Sequence, residues 1–91
     1  RIYFHTDDNS QRTIVELFTT DYPGLLSNVG QVFDDSDVSL QNAKIETFGS
    51  QAEDVFYVTG SGDRPLTVEQ QDALREALVS ALDAPAVEAL S

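Results

Sequence analysis

Cysteine, methionine and tryptophan are absent from the 91 residues, and lysine and arginine together number 5 against 16 acidic residues. Without cysteine there is no disulfide framework, no thiolate metal site and no cysteine nucleophile. The formal charge of −11 argues against a nucleic-acid partner, which needs clustered cations to neutralise phosphates. It argues equally against docking on an anionic membrane. No apolar run approaches the roughly 18 residues that a membrane-spanning helix requires, and no basic start followed by an apolar stretch marks a signal peptide. A chain that opens on Arg1 and holds no methionine reads as a piece of a longer protein, and such a piece need not carry the chemistry of the whole. What is present is an ordinary globular balance, 41% hydrophobic and 23% charged residues, at a length suited to a single domain.

Turn-forming clusters divide the chain at Asp7–Ser10, Tyr22-Pro23-Gly24, Gly49-Ser50, Gly60-Ser61-Gly62 and Pro85. Ile2 to Thr6 reads as a short strand and Thr13 to Thr20 as a longer one, with Val15 and Leu17 on one face and Ile14, Glu16 and Phe18 on the other. That second face is apolar enough to need cover from another element or subunit. Pro23 suits a first helical turn, Asp21 stands beside that terminus, and Leu25, Leu26, Val29, Val32 and Phe33 form one helical stripe. Asp34, Asp35 and Asp37 put negative charge at the helix end, where fraying is expected. From Val38 to Phe48 the apolar parity switches between Leu40 and Ala43, which predicts a β-bulge near Gln41-Asn42. Asp54 to Thr59 follows as a strand whose unbroken Val55-Phe56-Tyr57-Val58 run suggests burial on both faces. Thr67-Val68-Glu69-Gln70 fits a capping box, Val68, Leu74, Leu78, Ala81 and Leu82 form the inner face of a last helix, and Pro85 is expected to close it.

The order strand, strand, helix, strand, strand, helix predicts an α+β fold of the ferredoxin-like kind. Two helices would cover one face of a four-stranded antiparallel sheet. The residues after Pro85 are poor strand material, so Ile2 to Thr6 is expected at the sheet edge, reached by a hairpin through residues 7–12. This makes residues 1–91 one domain: an edge strand at 2–6, a core at 12–82 and a tail at 83–91.

Thr19-Thr20-Asp21-Tyr22-Pro23-Gly24-Leu25-Leu26 resembles the Asp-Arg-Pro-Gly-Leu-Leu signature of ACT domains, small amino-acid-sensing modules. Three further blocks are Val29–Phe33, Val38–Thr47 and Glu53–Val58. In order and spacing they resemble the C-terminal ACT domain of the bifunctional uridylyltransferase/uridylyl-removing enzymes. The resemblance runs from Arg12 to Leu82. It implies a regulatory domain of a cytoplasmic enzyme that attaches UMP to the PII protein of nitrogen regulation when glutamine is scarce and removes it when glutamine is plentiful. It also implies that catalysis, with Mg or Mn, resides in other domains, so that this domain holds no catalytic residue, metal or cofactor. Glutamine, a neighbouring ACT domain or a second copy, and PII through the parent enzyme are the implied partners. Tyr22 departs from the signature, where Arg is common, and removes a cation from the loop.

The loop suits an amino acid on physical grounds. A helix start offers unpaired N–H groups to a carboxylate, and Gly24 lets a ligand approach the backbone of Gly24, Leu25 and Leu26. Asp21, or backbone carbonyls of a partner's second strand, would accept from the ammonium. Tyr22 would stack or donate one hydrogen bond, and Asn42 pairs well with a side-chain amide. These six, Asp21, Tyr22, Gly24, Leu25, Leu26 and Asn42, are the candidate ligand-binding residues. Two bland readings stay open: the loop is also a good helix start, and Asn42 would also satisfy the backbone of a bulge. A ligand-free module that docks a neighbouring domain through a sheet edge, or through Ile14 and Phe18, is the alternative function. His5 lacks any partner for a metal or triad. Asp34–Asp37 lacks the spacing of a calcium loop. Gly60-Ser61-Gly62 is too short to cradle phosphate. Arg12, Arg64 and Arg75 do not share an anion-binding loop, which argues against acyl-phosphate hydrolysis.

Overall fold

The computed structural model describes residues 1–7, 9 and 11–90, with side chains described outside 83–90. Strands β1 (Ile2–Asp7) and β2 (Arg12–Thr20) form the expected hairpin, in register from Ile2 opposite Leu17 to Asp7 opposite Arg12. Helix α1 (Leu25–Asp35) follows, then strands β3 (Ser39–Phe48) and β4 (Gln51–Thr59), a single 3-10 turn at Ser61–Asp63, and helix α2 (Val68–Leu90). The sheet is antiparallel throughout, in the order β1-β2-β4-β3. The N-terminal strand therefore occupies one edge and β3 the other, in a ferredoxin-like α+β arrangement.

Alternation decides what faces the helices. Val15 and Leu17 of β2 lie across from Phe56 and Asp54 of β4, with Ala43 and Ile45 of β3 next in line. Val15, Leu17, Phe56 and Val58 are buried with Leu25, Val29, Val32 and Phe33 of α1 and Leu74 and Leu78 of α2. Phe33 meets Phe56 edge-on, their centroids 5.3 Å apart. The parity switch in β3 has the anticipated cause. The register shifts between Leu40 and Asn42, so Leu40, Ala43 and Ile45 all reach the helix side.

Several expectations need correction. Asp34–Asp37 does not fray. Asp37 adopts φ 57°, its N–H donates to the Asp34 carbonyl (3.2 Å), and the Val38 N–H donates to the Phe33 carbonyl (2.9 Å). This pair of bonds is a Schellman closure, and Val38 packs against the core behind it. Helix α1 starts at Leu25, not Pro23; Gly24 is its N-cap, at φ 88°, and no side chain caps it. Strand β4 is buried on one face only: Val55 and Tyr57, on the far side, are half-buried. The capping box at Thr67 and Gln70 forms reciprocally, at 2.8 and 3.1 Å, but Val68 points outward at 69% exposure. Leu66 takes that place in the core, with its N–H held by the Thr13 hydroxyl at 2.8 Å. Pro85 does not end α2, whose backbone stays helical to Leu90. Proline removes one N–H but its fixed φ is helical, and the surrounding alanines favour the helix.

Candidate functional site

The turn between β2 and α1 is built around Gly24. Its φ of 88° lies where a side chain would be strained, and the three residues before it are Asp21, Tyr22 and Pro23. Asp21 is tied at its N–H to the Ser50 carbonyl (2.8 Å), which fixes where the loop leaves the sheet. The Tyr22 carbonyl takes the Leu25 N–H at 3.1 Å, and the Gly24 carbonyl takes the Asn28 N–H at 3.0 Å. Because the N-cap has no side chain, the N–H groups of Leu26 and Ser27 find no acceptor among the described residues. Both residues are exposed. The first turn thus presents two bare amides and a positive local potential.

The Tyr22 ring turns inward. It is half-buried against the core, and its hydroxyl accepts a hydrogen bond from the Asn28 side-chain amide at 2.9 Å. Its O–H proton remains free to donate. The Asp21 side chain makes no capping bond to the helix. Asp21, Tyr22, Gly24, Leu25 and Leu26 are thus contiguous, though Leu25 is buried and its N–H already used. Asn42 is not brought to them. It pairs with Tyr57 on the sheet face opposite the helices, and its side-chain oxygen accepts from the neighbouring Ala43 N–H at 2.9 Å.

Sequence reasoning missed Asp54. It is 1% exposed, on the helix-covered face between Leu17 and Ile45, and neither carboxylate oxygen has a hydrogen-bond partner among the described residues. Burial pushes its carboxyl above the ordinary carboxylate value. The Glu46 backbone pulls the other way without reaching hydrogen-bond geometry, and the negative charge of Asp21 adds to the rise. A signal was available: Ala52, Asp54, Phe56 and Val58 share one parity, and the other three are core residues. Ser27 was missed because an exposed amide leaves no mark on residue type.

Strand β3 is exposed along its whole length. On the helix side, Leu40 and Ile45 are 49% and 44% exposed, and Leu26 of α1 is similarly open. These residues, with Val29, Gly30, Phe33, Ala43 and Phe56, line an apolar groove of about 180 Å³. The expected docking face at Ile14 and Phe18 is less open. Both are half-buried, and Tyr3 stacks edge-on against Phe18 at 5.7 Å. Elsewhere, His5 meets Glu16 at 3.3 Å on the open face. The Arg12 and Arg75 guanidiniums lie 4.9 Å from the centres of the Tyr57 and Phe4 rings. Arg12 sits at the start of β2 and not in a turn. Among the described residues no helix is long and apolar enough to cross a membrane.

No family model matches the chain, and no solved structure matches it. Curated proteins do. The bifunctional uridylyltransferase/uridylyl-removing enzyme of Methylococcus capsulatus is 49% identical over 80 residues, which is 87% of this chain. The enzyme of the same name from Nitrosococcus oceani is 45% identical over 82 residues, 90% of the chain. That of Ectopseudomonas mendocina is 42% identical over 89 residues, 97% of the chain. The chain spans only 9 to 10% of the length of these relatives. Nearly all of its 91 residues thus correspond to one short region of the bifunctional uridylyltransferase/uridylyl-removing enzymes.

Proposed function

We propose that this chain is an ACT-type regulatory domain that senses an amino acid, glutamine, within a cytoplasmic enzyme that uridylylates and deuridylylates the PII protein. Its similarity to enzymes with that pair of activities gives the biological setting. The observation that carries the sensing role is the first turn of α1, where the Leu26 and Ser27 amides face outward without an acceptor. A ligand α-carboxylate is the natural occupant of two such donors. A zwitterion has no net charge, so the −11 total does not repel it. Catalysis in the parent enzyme, with Mg or Mn, belongs to other domains. The test is calorimetry with L-glutamine on the full-length protein, with a Gly24→Ala variant alongside. Saturable heat in the wild type and a weaker site in the variant support the reading. No heat at millimolar glutamine contradicts it.

A second reading has its own observation. The exposed β3 edge and the groove of Leu26, Leu40 and Ile45 favour side-by-side docking of a neighbouring ACT domain or a second copy, which would extend the sheet. The two readings are compatible, since the same edge lies beside the α1 groove.

A further inference from the structure

We propose that the polypeptide entering this domain from the rest of a longer enzyme continues β1 by two residues, and that the nearer of them, immediately before Arg1, seats an apolar side chain between the sheet and α2. This rests on the reading of the chain as one region of a longer enzyme, and not on what the α1 turn binds.

The first observation is in the ladder. The Arg1 backbone nitrogen donates to the Phe18 carbonyl at 2.7 Å, and the Phe18 N–H donates to the Arg1 carbonyl at 2.8 Å. The β1–β2 pairing thus runs one residue beyond Ile2 and Leu17. Backbone groups along a strand turn to its two sides in alternation. Those of Phe18 face β1. The Asp21 N–H, three residues on, faces β4, where the Ser50 carbonyl takes it at 2.8 Å. Thr20 therefore turns its N–H and carbonyl to the β1 side, and no described residue stands opposite it there. One donor and one acceptor are left for the second residue before Arg1.

The second observation is a cavity at the intervening position. A residue opposite Thr19 would share the helix side of the sheet with Ile2, which lies opposite Leu17. On that side is a cavity of about 250 Å³, walled by Ile2, Leu17 and Thr19 of the sheet and by Arg75, Val79 and Leu82 of α2. Val79 is 45% exposed, and Ile2 and Leu82 are only partly buried. Four of these six side chains are aliphatic. The one cation among them is engaged elsewhere: the Arg75 guanidinium meets Asp72 at 3.5 Å and lies 4.9 Å from the centre of the Phe4 ring. Such a lining suits an aliphatic or aromatic side chain better than an anion. The cavity and the bare Thr20 groups fall at consecutive positions of one strand, so a single extended segment fills both.

This placement has a consequence for regulation. Thr20 directly precedes Asp21, which opens the turn into α1. The incoming chain would be hydrogen-bonded to the residue from which the candidate ligand loop departs, so the loop and the connection to the rest of the enzyme are joined through one residue.

The experiment is amide hydrogen exchange on the full-length protein, resolved to single amides by mass spectrometry, in wild type and in Val79→Asp. In the wild type the amides of Thr20 and of the second residue before Arg1 are expected to exchange at least about 10-fold more slowly than in an unstructured peptide. Val79→Asp puts a charge into the cavity and is expected to speed both by about 10-fold while β3 and β4 keep their wild-type rates. Should β3 and β4 also exchange faster in the variant, the wild-type comparison alone decides. Unprotected exchange before Arg1 in the wild type overturns the proposal. So does a protected Thr20 beside an unprotected upstream segment, which would give this edge to another chain. Protection that Val79→Asp leaves unchanged overturns it as well. In all three cases the residues before Arg1 exist, and the reading of a longer enzyme stands. A native protein with the mass of 91 residues would remove both.

Discussion

Replacing Asp54 by Val should make the ligand-free domain more stable. An unpartnered buried polar group costs about 1–3 kcal/mol, and burying a valine side chain contributes about 1.5–3 kcal/mol. Valine is bulkier than aspartate, and overpacking among Leu17, Ile45 and Phe56 returns about 1–3 kcal/mol. The balance is a gain of about 2 kcal/mol at pH 7, or very roughly 10 °C in Tm for a domain of this size. The gain should also depend on pH. Asp54 has its folded pKa raised above the value of 3.8 that it has when unperturbed, so just above pH 3.8 the folded state holds more of the proton than the unfolded state does. The wild-type penalty is therefore fully present above the folded pKa and is relieved as pH falls toward 3.8. Urea unfolding of both proteins between pH 4 and 7 measures this directly. A variant less stable than wild type at pH 7, or a stability gap that does not narrow on acidification, would refute the view of Asp54 as an uncompensated buried carboxylate.

Thr67→Ala removes one of the two reciprocal bonds at the start of α2 and should cost about 1 kcal/mol by chemical denaturation. Leu78→Ala, at a fully buried position on the same helix, should cost about 2–5 kcal/mol in the same assay. Gly24→Ala meets no atom within 4 Å but must hold φ 88°, and should destabilise by about 1 kcal/mol through backbone strain alone. Ile45→Lys, on the half-exposed edge, should change stability by less than about 0.5 kcal/mol while abolishing association through β3, read by light scattering. Unchanged association would move the interface elsewhere.

Much of this architecture is visible in residue order. The hairpin through residues 7–12 followed from the Ala-rich C-terminus offering no edge strand. The bulge followed from Leu40 and Ala43 sharing a face despite their spacing, and the capping box from Thr67 and Gln70. Helix ends were read less well, because their closure depends on backbone conformation and not on charge type. Asp37, an acidic residue in the wrong place for the helix dipole, closes α1 through its positive φ. The loop at 21–26 was legible as a helix start rich in glycine and proline. Its two bare amides, at Leu26 and Ser27, depend on which residue becomes the N-cap, and that is set by the turn geometry of Gly24. Asp54 was passed over because a carboxylate in a strand is ordinarily solvated. Only its parity with Phe56 and Val58 marks it as inward-facing. Asn42 illustrates the opposite failure. Its chemistry suits glutamine, but the bulge turns it to the far face and gives its oxygen to Ala43.

The central claim is that the first turn of α1 holds a small metabolite through its main chain. Backbone amide resonances followed while L-glutamine is added to isotopically labelled protein test it most directly. The account predicts that the N–H signals of Leu26 and Ser27 move furthest and saturably, with Tyr22 responding beside them. Shifts confined to another part of the sheet, or none at millimolar glutamine, would contradict it.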